Sequence, residues 1–266
     1  MSQNEIVYLM YHELELSGRN LCNSDLGYKR YTNTELGFRN QIFRLHQLNY
    51  VGINVSEASN PFFQDKNKIV LTFDDGCETD LIIASSILKE FNFNATFYVV
   101  AGFVGQKGYL STNQLRELSD LGFEIGSHSM THRYLSDLSS RDLRFEVLES
   151  KDRLEQFLGK RINHFSCPGG RWNNTVVQVV KETGYDSMAT SRIGTNNPNI
   201  DSFLLSRICI LRGIKLHEFE RICKAEGIVK LHIRDTFFSA AKDFLGNTIY
   251  EKIRNKIIEV SPFYKT

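Results

Sequence analysis

The stretch Thr72-Phe73-Asp74-Asp75-Gly76 carries the strongest chemical signal in the chain. Two adjacent carboxylates follow a short apolar run, Lys68-Ile69-Val70-Leu71, that reads as a buried strand. Like charges held side by side in a low-dielectric setting are costly unless a cation or a proton compensates. Further along, His128-Ser129-Met130-Thr131-His132 offers two imidazoles four residues apart. Two imidazoles and a carboxylate form an O,N,N donor set for a divalent metal with coordination positions left open. Within such a set one aspartate can ligate while its neighbour acts as a general base. The reaction class this points to is metal-assisted hydrolysis of a carbonyl compound, an amide or an ester.

The doublet also admits a structural reading, since Asp75-Gly76 could turn a β-hairpin. The residues after it argue otherwise. Asp80 to Phe91 has helical rather than alternating spacing, so the segment reads as strand, tight turn, helix. The same alternation recurs along the chain. Strand-like runs fall at Ile6–Tyr11, Val51–Val55, Lys68–Phe73, Ala95–Ala101, Phe123–Ser127, Asn163–Cys167, Asp186–Thr190 and Arg207–Leu211. Helix-like runs separate most of them, at about Thr34–Asn49, Thr79–Asn92, Thr112–Leu121, Ser140–Leu158 and Asn173–Thr183. This order implies an α/β fold with a parallel sheet, closed or nearly closed into a (β/α) barrel. Chemistry in such a barrel belongs at the carboxyl ends of the strands. His12, the Asp74–Asp75 pair, His128 with His132, and Pro168-Gly169-Gly170-Arg171-Trp172 all follow strand-like runs.

Composition narrows the alternatives. The chain has 266 residues, 41% hydrophobic and 24% charged, with a net charge of +1. Those values fit a soluble globular protein and give no reason to expect nucleic acid as a partner. Five scattered cysteines without a CxxC pair suggest neither a disulfide framework nor a cysteine zinc knuckle. Free thiols, an N-terminus without a basic region and the lack of a membrane-length apolar stretch lead to the expectation of a cytoplasmic protein. A dinucleotide or phosphate loop lacks its glycine motif, and a zincin protease would need glutamate where Ser129 stands.

The pairing of Thr72-Phe73-Asp74-Asp75-Gly76 with His128-Ser129-Met130-Thr131-His132, in that order and at that separation, resembles the first two motifs of the polysaccharide deacetylases, carbohydrate esterase family four. The resemblance covers roughly residues 5–210. It implies a distorted (β/α)7-8 barrel that removes N-acetyl or O-acetyl groups from sugars, here expected to be an acetyl group on an N-acetylated sugar. It also implies that Asp74 is the catalytic base and that Asp75, His128 and His132 hold the metal, usually zinc. The expected substrate is carbohydrate: a glycan, a lipid-linked sugar or a sugar nucleotide. The rival readings are a metal-dependent amidohydrolase acting on a small non-sugar amide and an inactive glycan-binding barrel.

The chain departs from the family at its third motif, where Ser166 stands in place of an arginine that orients the catalytic aspartate. Arg171 is expected either to take over that role or to grip a substrate phosphate or carboxylate. Gly170, Arg171 and Trp172 form the expected substrate-binding stretch, with Trp172 either a sugar-stacking platform or buried under the rim. The general acid is expected to be His12, which otherwise reads as a rim histidine; Leu231-His232 is a weaker match to the family's acid motif. His46, His164 and His217 read as surface or packing residues. Residues 1–213 form the expected barrel. Residues 214–266 read as a mildly basic helical extension, packed on the barrel or touching a membrane or a lipid-linked substrate.

Overall fold

This computed structural model describes residues 5–60 and 67–228. Strands are β1 (Val7–Tyr11), β2 (Val51–Ile53), β3 (Lys68–Asp75), β4 (Thr96–Val99), β5 (Glu124–Ser127), β6 (His164–Ser166), β7 (Ser187–Ala189) and β8 (Ile208–Cys209). They form one sheet in the order β8-β1-β3-β4-β5-β6-β7, and every pairing is parallel. β2 pairs with the first three residues of β3 and β4 with its last four.

The ring closes through one segment. Leu205 bridges to Ala189 at the end of β7, and Ile208 and Cys209 then pair with Leu9 and Met10 of β1. Residues 205–209 therefore span the gap between the two edges of the sheet. With strands this short the barrel is a distorted one, as the sequence implied. Each expected strand is present, and the ends differ where local chemistry intervenes. Val55 opens a helix, Val55–Ser59, because Asn54 and Glu57 make a reciprocal capping box there. β3 runs two residues further than the apolar pattern, so Asp74 and Asp75 lie in the ladder opposite Tyr98 and Val99.

Helices cover the outside: α1 (Glu35–Gln47), α2 (Thr112–Asp120), α3 (Ser150–Leu158), α4 (Asn174–Glu182) and α5 (Leu216–Cys223). The expected capping box at Ser111 is formed with Gln114 and starts α2. Strand alternation divides the core in two. Leu9, Leu71, Phe73, Phe97, Ile125, Phe165 and Ile208 face the helices in the larger cluster. Tyr11, Phe73 and Phe97 stack in a row with centroids 5.3 and 4.7 Å apart. Each such buried ring contributes about 1.5–3 kcal/mol by removal from water. The barrel interior holds a smaller cluster of Tyr8, Val70, Tyr98, Ala189 and Leu205. Gly126 belongs here because any Cβ would sit 2.4 Å from the Tyr98 ring.

His164 is more than a packing residue. At the amino-terminal end of the barrel its Nε2 lies 3.3 Å from Glu124 and 2.8 Å from Ser56 Oγ, while Nδ1 meets Ser187 Oγ at 2.8 Å. Helix α5 buries Phe219 and Cys223 against the outer core and ties to α1 through Arg44 and Glu220 at 2.7 Å. The rest of the expected helical extension, with His232 and the membrane contact expected of it, lies outside the described residues. Among the described residues no helix is long and apolar enough to cross a membrane.

Candidate active site

The carboxyl ends of β3, β5, β6 and the closing segment converge on Asp74 and Asp75. Asp74 faces the barrel interior and is 3% exposed. Its partner is Arg207, which is wholly buried. Arg207 Nη1 donates to Asp74 Oδ1 at 2.7 Å and Nη2 to Oδ2 at 2.8 Å, a two-pronged grip that fixes the carboxylate plane. The other Arg207 donors are also used: Nε on Thr190 O at 2.9 Å and Nη2 on Ser166 Oγ at 2.8 Å. Burial alone would raise the Asp74 carboxyl, but the Arg207 guanidinium, helped by His128 and His12, holds it well below the usual carboxylate range.

Arg207 is the member of this candidate site that sequence reasoning missed. Of the two roles expected of Arg171, holding Asp74 falls to Arg207, while the Arg171 guanidinium lies 4.2 Å above the Tyr134 ring. Ser166, in the place of the family arginine, donates to Asp74 at 3.3 Å while accepting from Arg207. The signal was present in the strand-like run, where Arg207 sits among Leu204, Leu205, Ile208 and Ile210. A lone charge in an apolar strand needs a buried counter-charge.

Asp75 is turned away from its neighbour. Strict alternation would aim it at the helical layer, but its backbone has φ +84°. Asp75 Oδ1 comes to 3.5 Å from His132 Nε2 and 3.8 Å from His128 Nε2. Ser129 and His132 also take left-handed φ, +67° and +62°, a concentration of strained residues around one point. The loop is pinned by Glu146, whose carboxylate accepts from the amides of Met130 at 3.0 Å and Thr131 at 2.8 Å.

These side chains pass a test as metal ligands. One donor atom from each of Asp75, His128 and His132 lies within 4.8 Å of the others. His128 Nδ1 meets the Ser166 carbonyl at 2.8 Å. A carbonyl only accepts, so Nδ1 carries the proton and Nε2 turns its lone pair to the space between Asp74 Oδ2, at 3.7 Å, and Asp75 Oδ1. Burial pushes the His128 imidazole down to about 4, so it is neutral at physiological pH, as a ligand must be. His12 lies near enough to Asp74 to act on its carboxyl, and its Nδ1 is buried without a hydrogen-bond partner among the described residues. Gly170 has φ +64°, and a Cβ there would sit 2.4 Å from Ser191 Cβ. Trp172 is partly buried against the outer core rather than standing free. A groove of about 410 Å³ lined by His132, Arg133, Tyr134, Asp137 and Leu138 opens beside the site.

A family model for polysaccharide deacetylases matches residues 64–188, which contain both aspartates and both histidines. Residues 64–188 form a polysaccharide deacetylase domain. YxkH of Bacillus subtilis (strain 168) is 27% identical over 210 residues, 77% of this chain and 71% of that protein. The peptidoglycan-N-acetylglucosamine deacetylase of Bacillus cereus is 33% identical over 124 residues. That match takes in 46% of this chain and 56% of the relative, so the deacetylase domain here spans little more than half of it. Among solved structures, the Streptococcus pyogenes deacetylase PplD, in complex with acetate, superposes with a TM-score of 0.73. It is 24% identical and the overlap covers 84% of this chain and 99% of that one, which establishes the shared barrel.

Proposed function

We propose that this deacetylase hydrolyses the acetamide of an N-acetylated sugar, with Asp74 as general base and with Asp75, His128 and His132 as the seat of a divalent metal of the zinc class. The observation that carries this reading is the division between two adjacent carboxylates. Asp74 is gripped by Arg207 and kept as an anion. Asp75, one residue on, faces both imidazole nitrogens, whereas Asp74 reaches only that of His128.

The chemistry such an ion supplies when bound is Lewis acidity toward water and toward the acyl oxygen. A carboxylate held as low as Asp74 is always ionised but is a weak proton acceptor, so it suits a nucleophile that is already acidified. Arg207 keeps its plane fixed while it takes that proton. Ser166 Oγ adds a second donor at the same carboxylate. His12, following the strand residue Tyr11 that pairs with Phe73, comes level with Asp74 and is the candidate to protonate the departing amine. Arg171 and Tyr134 stack at one wall, beside the groove lined by His132 and Tyr134. With Gly170 and Trp172 they support that wall as the place for the sugar.

The relatives named above support an N-acetylhexosamine as the substrate unit. Five unpaired thiols support a reducing compartment, the cytoplasm, as its place of work. The test is acetate release from N-acetylhexosamine oligomers by the wild-type chain and by Asp74→Asn. The variant should retain its metal and lose at least about 100-fold in turnover. Activity near that of the wild type would remove Asp74 from the mechanism.

A further inference from the structure

A second set of donor atoms lies beside the site and takes no part in the hydrolysis described above. Glu13, Cys22 and Cys77 each bring one ligand atom within 4.8 Å of the other two. Glu13 and Cys77 are buried, at 1% and 0% exposure. The loop carrying Cys22 is fixed by its own amide, which donates to Glu13 Oε2 at 2.9 Å. Cys22 Sγ lies 3.1 Å from Gly108 O, and Tyr28 OH is 3.5 Å from Cys77 Sγ. Three residues beyond Cys77, Asp80 is wholly buried, and neither of its carboxylate oxygens has a hydrogen-bond partner among the described residues. Two thiols and two carboxyl groups are thus packed into one interior corner. The cation beside them is Arg19, 3.5 Å from Glu13 and 3.7 Å from Cys22 Sγ.

We propose that Glu13, Cys22 and Cys77 form a second metal site, specific for a thiophilic divalent cation such as zinc. Binding would form two metal–sulfur bonds and one metal–oxygen bond to the protein, leave a water in the fourth position, and release the two thiol protons to solvent. Two thiolates and a carboxylate then carry three negative charges against two on the ion. Arg19, which also pairs with Glu78 at 2.7 Å, shares its positive charge with the site and offers an N–H to the Cys22 sulfur. Zinc–sulfur bonds of about 2.3 Å at tetrahedral angles put two sulfurs about 3.8 Å apart. The donors, already within 4.8 Å, can close on one ion with small movements. Because Cys77 lies two residues past Asp75, an ion here would tie the loop of residues 16–25 to the turn that presents Asp75. The role is structural, and it stands independently of the deacetylase reading.

Cobalt(II) distinguishes the two sites, since only this one contains sulfur. The full chain, stripped with chelator and kept reduced, is titrated with cobalt(II) and followed by absorption and by bound metal. The wild type should develop a near-ultraviolet thiolate-to-cobalt charge-transfer band and take up two ions. Cys22→Ser should lose the band and one ion. Glu13→Gln should keep the band but require roughly 10-fold more cobalt or beyond. A wild type that binds cobalt without the band overturns the proposal. So does a band that survives in Cys22→Ser, or a Cys22–Cys77 disulfide that persists under reductant. The wild-type readings decide the matter even if a variant fails to fold.

Discussion

Replacing Arg207 with methionine tests the electrostatic design of the site directly. The side chain is wholly buried and touches Asp74, Ser166, Thr190 and Thr72 through its guanidinium. Methionine fills a similar volume without charge. Asp74 would be left as a buried carboxylate facing an apolar thioether. Removing one partner of a buried pair costs about 3–5 kcal/mol, because the other charge stays desolvated. For a chain of this size that converts to a fall in Tm of roughly 6–20 °C. The melt should be recorded in chelator, so that metal binding does not mask the change. Acetate release should fall by about 100-fold to 10,000-fold, the range for losing a positioned base. Arg207→Lys keeps the charge but not the two-pronged geometry, so it should recover more stability than activity. The double change Asp74→Asn with Arg207→Met should cost less than the two single changes added together, by about 1–3 kcal/mol. An Arg207→Met chain that melts within about 2 °C of the wild type, a change below 1 kcal/mol, refutes the pairing.

Other consequences can be measured on the same preparation. Chelation should abolish acetate release, and zinc should restore it where magnesium does not, because two of the three donors are imidazoles; turnover that survives exhaustive chelation counts against the metal. Gly170→Ala puts a methyl group 2.4 Å from Ser191 at a left-handed φ, so it should lower stability by about 1–3 kcal/mol, read by denaturant unfolding. Burial alone would raise Glu124, but its hydrogen bond to His164 leads the interactions that lower it. Its folded-state pKa is below the unfolded one, so its stabilisation is present above the unfolded carboxylate pKa and lost as pH falls through the folded one. The stability difference between wild type and Glu124→Gln should therefore shrink as pH drops through and below the carboxylate range, and a gap independent of pH would show that Glu124 acts by packing alone.

Most of the fold was legible because the signals were local. Short apolar runs, several of them followed by Gly, Asp or His, marked the strands, and Ser111 with Gln114 marked a helix start. The candidate metal donors were legible for the same reason: Asp75 and the histidine pair are motifs in sequence, each at the end of a strand. What could not be read was contact across the barrel. Nothing local shows that residue 207 will meet residue 74, because the pairing depends on the closing segment joining β7 to β1. The same holds for Glu13, Cys22 and Cys77, which come from three separate stretches of chain. The left-handed φ at Asp75, Ser129 and His132 was equally invisible, since none of the three is glycine. Those conformations are imposed by tertiary contacts such as Glu146 on the amides of Met130 and Thr131.

The position of Arg207 explains how a deacetylase site can tolerate serine at the place of its usual arginine. Ile208 is level with Leu9 and Leu71, so the Arg207 backbone lies several residues below Asp74 on the barrel axis. Only a long, inward side chain can rise from there to the carboxylate. The path runs past Tyr98, whose ring centre is 5.4 Å from the guanidinium, and Thr72 Oγ1, which accepts from it at 3.3 Å. An arginine at residue 166 would start beside Asp74 and compete for the same space. The short Ser166 side chain is therefore a requirement of this arrangement rather than a loss. Returning arginine at that position should place two guanidinium groups against one carboxylate, a like-charge contact in a buried site. Ser166→Arg alone should thus destabilise the chain, and combining it with Arg207→Met should recover part of the loss. If the single change is harmless, the two positions do not share one counter-charge and the substitution of roles across the barrel is wrong.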